Sequence, residues 1–235
     1  MTVKIPIKGD VVDSDTAAFY SYFNMQCVSP QAVSDALQEA DGDDVELDIN
    51  SGGGDVFAGF EIYTTLRNYS GNVAAIVSGL AASAASTIAM AANNLKMSPV
   101  AQIMIHQAQS VLQGNTDDLT HEAGVLQGID QSIAAAYEQR TGIGQGELLN
   151  MMAKETWLGA KDAVDKGFAD EIMFNDKPVV YNSVSPIPSK AALAKFKTLL
   201  AKETTPKEPV QPNTDKEQPT TDDLLASKLA VLADE

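Results

Sequence analysis

The 235-residue chain carries 32 acidic against 16 basic side chains, a net charge of -16, which argues against phosphate-backbone binding and sets nucleic acid aside as a partner. Its one cysteine, Cys27, excludes an intrachain disulfide framework and a thiolate metal cluster, and suits a reducing compartment. No apolar run reaches the length of a membrane span and no opening stretch has the build of a signal peptide, so a soluble, cytoplasmic protein is expected.

Alternating apolar residues over 3–12 predict a strand at the start of the chain. Ser29 followed by Pro30 is a helix-start signal, a capping hydroxyl before a proline at the first helical position, and the helix should run to about Ala40 before the turn Asp41-Gly42-Asp43. Residues 45–49 alternate as a second strand and run into Asn50-Ser51-Gly52-Gly53-Gly54, after which 55–69 reads as a helix with Val56, Phe60, Ile62, Tyr63 and Leu66 on its apolar side. The pattern then repeats: a buried strand at 72–78, a turn at Gly79, and an alanine-rich helix over 84–92. Such alternation predicts an α/β fold with a mainly parallel sheet. Short strands follow at 95–97 and 101–105. The spacing of Leu119, Ala123, Leu126, Ile129, Ile133 and Tyr137 marks a long helix over 116–140 closed by Gly142. A helix at 145–153, an apolar anchor at Trp157-Leu158, a short helix at 160–166 and a strand at 171–174 complete a domain spanning 1–174.

Seven of the ten prolines lie beyond residue 175, among Thr, Ser, Lys, Glu and Gln. Residues 175–235 therefore read as a low-complexity, mostly disordered tail, with helical apolar spacing at 189–202 and 221–234 that suits docking on a partner. The acidity belongs to the domain, where residues 1–175 hold 8 basic and 23 acidic side chains. No repeat of solenoid or propeller period occurs.

Ser83 stands where the second apolar strand turns into its helix, in Gly79-Leu80-Ala81-Ala82-Ser83-Ala84-Ala85. It reads either as an ordinary helix cap or as a nucleophile beside unpaired backbone N–H groups. A serine nucleophile requires a base, a group that orients the base, and donors for the tetrahedral oxyanion. Of the two histidines, His106 ends an apolar strand and His121 lies on the polar face of the long helix, so His106 is the candidate base, with a hydrogen-bonded edge histidine as the alternative. Three consecutive glycines at 52–54 mark a backbone shape or close approach that a side chain would forbid, suited to exposed N–H groups or to pairing with an extended peptide. A phosphate loop is disfavoured, because no Gly-Lys-Ser/Thr follows and Asp55 would repel phosphate; an α/β-hydrolase is disfavoured by the lack of a GxSxG elbow.

Asn50 to Gly54 ahead of a helix, Gly79-Leu80-Ala81-Ala82-Ser83, and Met104-Ile105-His106-Gln107 resemble the successive motifs of the ClpP family of self-compartmentalising serine peptidases, over about residues 3–174. The resemblance implies a ClpP/crotonase-type fold of repeated ββα units, with Ser83 as nucleophile, His106 as general base, and the N–H groups of Gly54 and Ala84 as the oxyanion hole. It further implies substrate-strand pairing at Gly52 and Gly53, no cofactor or metal, and subunits in heptameric rings that stack into a tetradecamer through the long helix as a handle. Where the family carries its third catalytic residue, an aspartate, this chain has Glu155, in Glu155-Thr156-Trp157-Leu158-Gly159-Ala160; Asp117, Asp118 and Asp162 are the alternatives.

The first strand begins with almost nothing before it, so the axial loops that serve an ATPase partner are not expected. The Glu-Thr-Trp segment, the triple-glycine loop and the polar tail are similar to phage-encoded ClpP-like prohead proteases, which implies a capsid or scaffold protein as substrate. Four other readings remain open: an ATPase-linked Clp-type proteolytic subunit, a non-enzymatic ring-forming capsid scaffold, a crotonase-type acyl-CoA enzyme, and a Ser-Lys peptidase that would leave His106 idle.

Overall fold

The computed structural model describes residues 2–174; the expected tail with its helices at 189–202 and 221–234 lies outside the described residues. The first strand, β1 (Val3–Val11), buries Ile5 and Ile7 by the alternation visible in the sequence. Helix α1 (Ser14–Tyr22) follows, capped by Asp13, whose carboxylate accepts from the Thr16 N–H at 2.7 Å. It buries no residue, which is why no apolar periodicity announces it. After the short β2 (Cys27–Val28), α2 (Pro30–Ala40) begins at Ser29 and Pro30 as read from the sequence and ends on Asp41 in the left-handed conformation.

Two strand–helix units form the centre. β3 (Val45–Gly54) leads to α3 (Val56–Arg67), capped by Asp55 through the Ala58 N–H, and β4 (Val73–Ala82) leads to α4 (Ala84–Ala89). Both strands run further than their local sequence suggests. The glycine run continues β3 because Gly53 and Gly54 pair with Asp10 and Val11 of β1, and β4 passes through Gly79 because Leu80 to Ala82 find new partners. Pairing with a neighbour thus overrides the turn tendency of glycine.

The sheet order is β2-β1-β3-β4, continued by β5 (Asn94–Met97) and β8 (Glu171–Ile172), with all these pairings parallel. Strand β4 forks. Its first half pairs with β5 from Ala74↔Asn94 to Val77↔Met97, and its second half pairs with β6 (Gln102–Ile105) from Leu80↔Gln102 to Ala82↔Met104. On the far side of β6 lies β7 (Thr156–Gly159), the one antiparallel strand among the described residues; it occupies the segment that reads as an apolar anchor in the sequence. The α/β architecture with a mainly parallel sheet is as expected.

The long helix α5 (Thr116–Thr141) opens with a capping box between Asn115 and Asp118 and closes on Gly142 with φ 73°. At about 1.5 Å per residue it is roughly 39 Å long. Its buried residues, Asp130, Ile133, Ala134 and Tyr137, all lie in the C-terminal half; in the first half, among the described residues, Glu122 and Leu126 are half-buried and the rest are exposed. Helices α6 (Gln145–Ala153) and α7 (Ala160–Asp165) cover the far edge, where Arg140 of α5 pairs with Asp170 ahead of β8. Among the described residues no helix is long and apolar enough to cross a membrane.

Phe168 is fully buried, with its ring centroid 5.6 Å from that of Tyr137, and so joins the β8 edge to α5. Replacing it leaves a cavity that neighbouring strands cannot fill. Phe168→Ala should destabilise the fold by about 3–5 kcal/mol, against about 1 kcal/mol for Ile103→Val in the same core; urea unfolding measures both.

Candidate active site

The β4 fork sets the site. Ser83 directly follows β4 and its N–H donates to the Met104 carbonyl of β6 at 3.0 Å, extending the β4–β6 pairing by one bond. His106 directly follows β6. Two parallel strands in this register therefore end side by side, and the His106 Nε2 lies 2.7 Å from the Ser83 Oγ. With the imidazole proton on Nδ1, Nε2 accepts the serine hydroxyl proton, the geometry needed to activate that oxygen as a nucleophile.

Ser83 is not an ordinary cap. Its side chain makes no capping bond to α4, and its backbone sits at φ 53°, ψ -127°, a region costly for a residue with a Cβ. The turn is held by its carbonyl, which accepts from the Ser86 N–H at 2.9 Å and the Ser86 Oγ at 2.6 Å. Because the single Ser86 hydroxyl proton is committed there, the Tyr137 hydroxyl, 2.7 Å away, is the donor to Ser86. Burial raises the Tyr137 pKa and keeps it in its protonated, donating form.

Gly53 and Gly54 approach this turn from β3. A Cβ on Gly53, at φ 97°, would stand 2.6 Å from the Ser83 Cβ and 3.0 Å from the Ala84 nitrogen; one on Gly54, at φ 146°, would stand 2.1 Å from the Val11 carbonyl oxygen. Only glycine lets β3 lie against the serine turn. Gly52 has open space around it, so its missing side chain has no steric cause within the described residues. Gly54 and Ala84 line the same cavity as Ser83 and His106, a cleft of about 500 Å³ whose apolar wall includes Phe57 and Ile129. Ala84 opens α4, so its N–H lacks an intrahelical acceptor.

Glu155 is brought to His106 by the backbone but not by its side chain. Antiparallel pairing of Ile105 with Thr156 places Glu155 opposite His106, just past the end of the ladder. Its carboxylate is exposed and accepts from the Trp157 Nε1 at 3.1 Å, and its φ is 49°. Asp118 is engaged in the α5 capping box, Asp117 lies in the exposed first turn of that helix and Asp162 in the exposed first turn of α7; none has a hydrogen bond to His106. His121 is exposed on α5, as its polar surroundings suggest.

Asp130 and Ser86 escape sequence reading. Asp130 is 5% exposed and accepts from the Gln107 Nε2 at 3.0 Å and the Ala108 N–H at 2.8 Å. A carboxylate on the stripe Leu126, Ile133, Tyr137 was the available signal, since a buried charge requires partners. Ser86 had none, being one small polar residue in an alanine-rich helix.

The close approach of Gly53 gives a direct test. Gly53→Ala should displace the Ser83 turn and lower the rate at which a fluorophosphonate labels Ser83 by about 100-fold or more. Gly52→Ala meets no neighbour and should leave the melting temperature within a few degrees.

The Clp protease family model matches residues 30–176. An ATP-dependent Clp protease proteolytic subunit of Bacteroides fragilis is 32% identical over 134 residues, which cover 56% of this chain and 65% of that protein, so the chain spans just under two thirds of that relative's length. A proteolytic subunit 1 from Chlamydia muridarum is 27% identical over 177 residues, covering 71% of this chain and 92% of the relative. Among solved structures, a ClpP1 point mutant from Listeria monocytogenes superposes with a TM-score of 0.62 at 24% identity, over 74% of this chain and 92% of that one, and so shares the fold. A family model that matches well over half of the chain, on a fold of the same kind, means that the chain belongs to the Clp protease family.

Proposed function

We propose that this chain is a serine endopeptidase subunit that cleaves extended protein segments inside a ring-shaped assembly. The observation that carries the reading is the 2.7 Å contact between the Ser83 Oγ and the His106 Nε2 in the wall of a cleft. In this reading Ser83 attacks the scissile carbonyl carbon as its proton passes to His106. The oxyanion that forms is stabilised by the N–H groups of Gly54 and Ala84, preorganised donors that need no rearrangement as charge develops. Collapse of the tetrahedral species expels the amine, protonated by His106, and water releases the acyl group by the same route in reverse. Side chains and backbone amides supply the whole reaction, with no cofactor. Gly52 and Gly53, next in the chain to the cleft residue Gly54, are in this reading where an extended substrate strand pairs.

Glu155 is the orienting acid in this scheme. Its place opposite His106 in the strand register supports the role, and a rotation away from Trp157 would bring its carboxylate toward the imidazole. Copies assemble into heptameric rings that stack in pairs through the first half of α5, where Leu119 is an exposed apolar residue.

The source of substrate has two readings. The names of the bacterial relatives, ATP-dependent proteolytic subunits, favour delivery by an ATPase. The resemblance of Glu155-Thr156-Trp157 and the polar tail to phage prohead proteases favours a capsid or scaffold protein cleaved without one.

Purified wild type should label with a fluorophosphonate at Ser83 and hydrolyse peptides, and Ser83→Ala should lose both, by about 10³-fold or more. Full activity in Ser83→Ala, or an inert wild type, overturns the assignment. Glu155→Ala should lower kcat by about 10²- to 10⁴-fold with Glu155→Asp less affected, whereas alanine at Asp117, Asp118 or Asp162 should leave it near wild type. Mass spectrometry of capsid or scaffold protein incubated with wild type and Ser83→Ala, with and without ATP and a Clp-type ATPase, separates the two sources of substrate.

A further inference from the structure

Asp130 is a buried carboxylate that the reaction as proposed does not use. It lies in the middle of α5, so it caps nothing, and it has no ion-pair partner among the described residues. Taking a carboxylate out of water is costly unless its lone pairs are matched by donors. Both donors come from one short stretch: the Gln107 side chain and the Ala108 backbone N–H, at 3.0 and 2.8 Å. Among the described residues these are the only hydrogen bonds made by residues 107–114, which have no helix or strand of their own.

His106 stands between two anchors. Upstream, β6 is locked to β4 up to Ala82↔Met104, and the Ser83 N–H adds one more bond to the Met104 carbonyl. Downstream, among the described residues, the two bonds to Asp130 and the packing of Ala108 on the core are what hold the chain after His106. An imidazole that must keep its Nε2 at 2.7 Å from a hydroxyl requires its Cα to be fixed on both sides. Ala108, Gln109 and Ser110 also line the cleft, so the same tie holds one of its walls.

We propose that Asp130 is a positioning residue for His106: its buried carboxylate, by accepting from Gln107 and Ala108, fastens the chain just beyond the base and so holds the imidazole against Ser83. This rests on the reading of Ser83 and His106 as nucleophile and base. A second residue of the same helix, Tyr137, secures the serine side through Ser86, seven residues and about two turns further on. One rigid face of α5 therefore carries an anchor for each member of the pair.

Three variants of the full chain test the proposal: Asp130→Ala, Asp130→Asn and Gln107→Ala, each compared with wild type at matched assembly state and well below its melting temperature. Asp130→Ala should lower the second-order rate of fluorophosphonate labelling, and kcat on a peptide, by about 10- to 100-fold with KM changed by no more than about threefold, as expected when a reacting group is misplaced by about an ångström. Asp130→Asn retains an oxygen that accepts the Ala108 N–H and should stay within about fivefold of wild type. Gln107→Ala, a change at an exposed residue that leaves the buried carboxylate its backbone donor, should fall by about two- to fivefold, as for one hydrogen bond lost. Hydrogen exchange gives a readout independent of catalysis: the Ala108 amide should be protected in wild type and Asp130→Asn and exchange rapidly in Asp130→Ala. Should Asp130→Ala fail to fold, Gln107→Ala and the wild-type protection of Ala108 decide the matter. Equal labelling rates in wild type and Asp130→Ala, equal losses in Asp130→Asn and Asp130→Ala, or an unprotected Ala108 amide in wild type would overturn the proposal. An inert wild type with a protected Ala108 amide would instead overturn the reading of Ser83 and His106, leaving the fastening itself supported.

Discussion

The Ser83 N–H to Met104 carbonyl bond, closing the pairing of β4 with β6, is the contact on which the site depends. Without it the two strands would still bury Ala81 and Ile103, but the turn at Ser83 would lose the bond that ties it to the end of β6. With it, two residues 23 positions apart arrive at one point with their side chains in hydrogen-bond contact. The strain at Ser83 is part of the same arrangement. A residue at φ 53° persists only where its surroundings over-determine it, and here β6, the Ser86 hydroxyl and the close backbone of Gly53 do so together.

Helix α5 has two halves with different physics. Its first half presents no buried side chain and contributes little to the stability of the described domain; its second half carries polar groups into the interior on an otherwise apolar stripe. Asp130 and Tyr137 are expensive to bury, and both are matched by donors or acceptors at the site rather than elsewhere in the core. The polar investment of the interior is thus concentrated around the serine and histidine. The acidity of the domain is arranged differently: carboxylates such as Asp13, Asp55 and Asp118 cap helices, where the unpaired N–H groups favour them.

Elements with a buried face were legible in the sequence. The alternation of β1 and β3, the Ser29-Pro30 start of α2 and the Gly142 end of α5 stand where local pattern puts them. The elements that escaped are those without such a face or with a misleading one. Helix α1 buries nothing and so has no period to read. Strand β7 is four residues long and is defined by its pairing with β6 rather than by its own alternation. The glycines of β3 signal a turn locally and become strand only because β1 lies beside them.

The site divides along the same line. Residue types and order determined that Ser83, His106 and a glycine-rich loop belong together, because acyl transfer needs those groups and the motifs that hold them occur in family order. The family itself and its α/β fold were equally legible. What only the tertiary structure decided is how the groups meet: that Ser83 is no cap, that the Glu155 carboxylate turns to Trp157 while its backbone faces His106, and that Asp130 and Ser86 stand behind the pair. The reason is physical. Hydrogen bonds between residues distant in the chain depend on strand register and on which helix face is buried, and neither is written in the neighbours of any one residue.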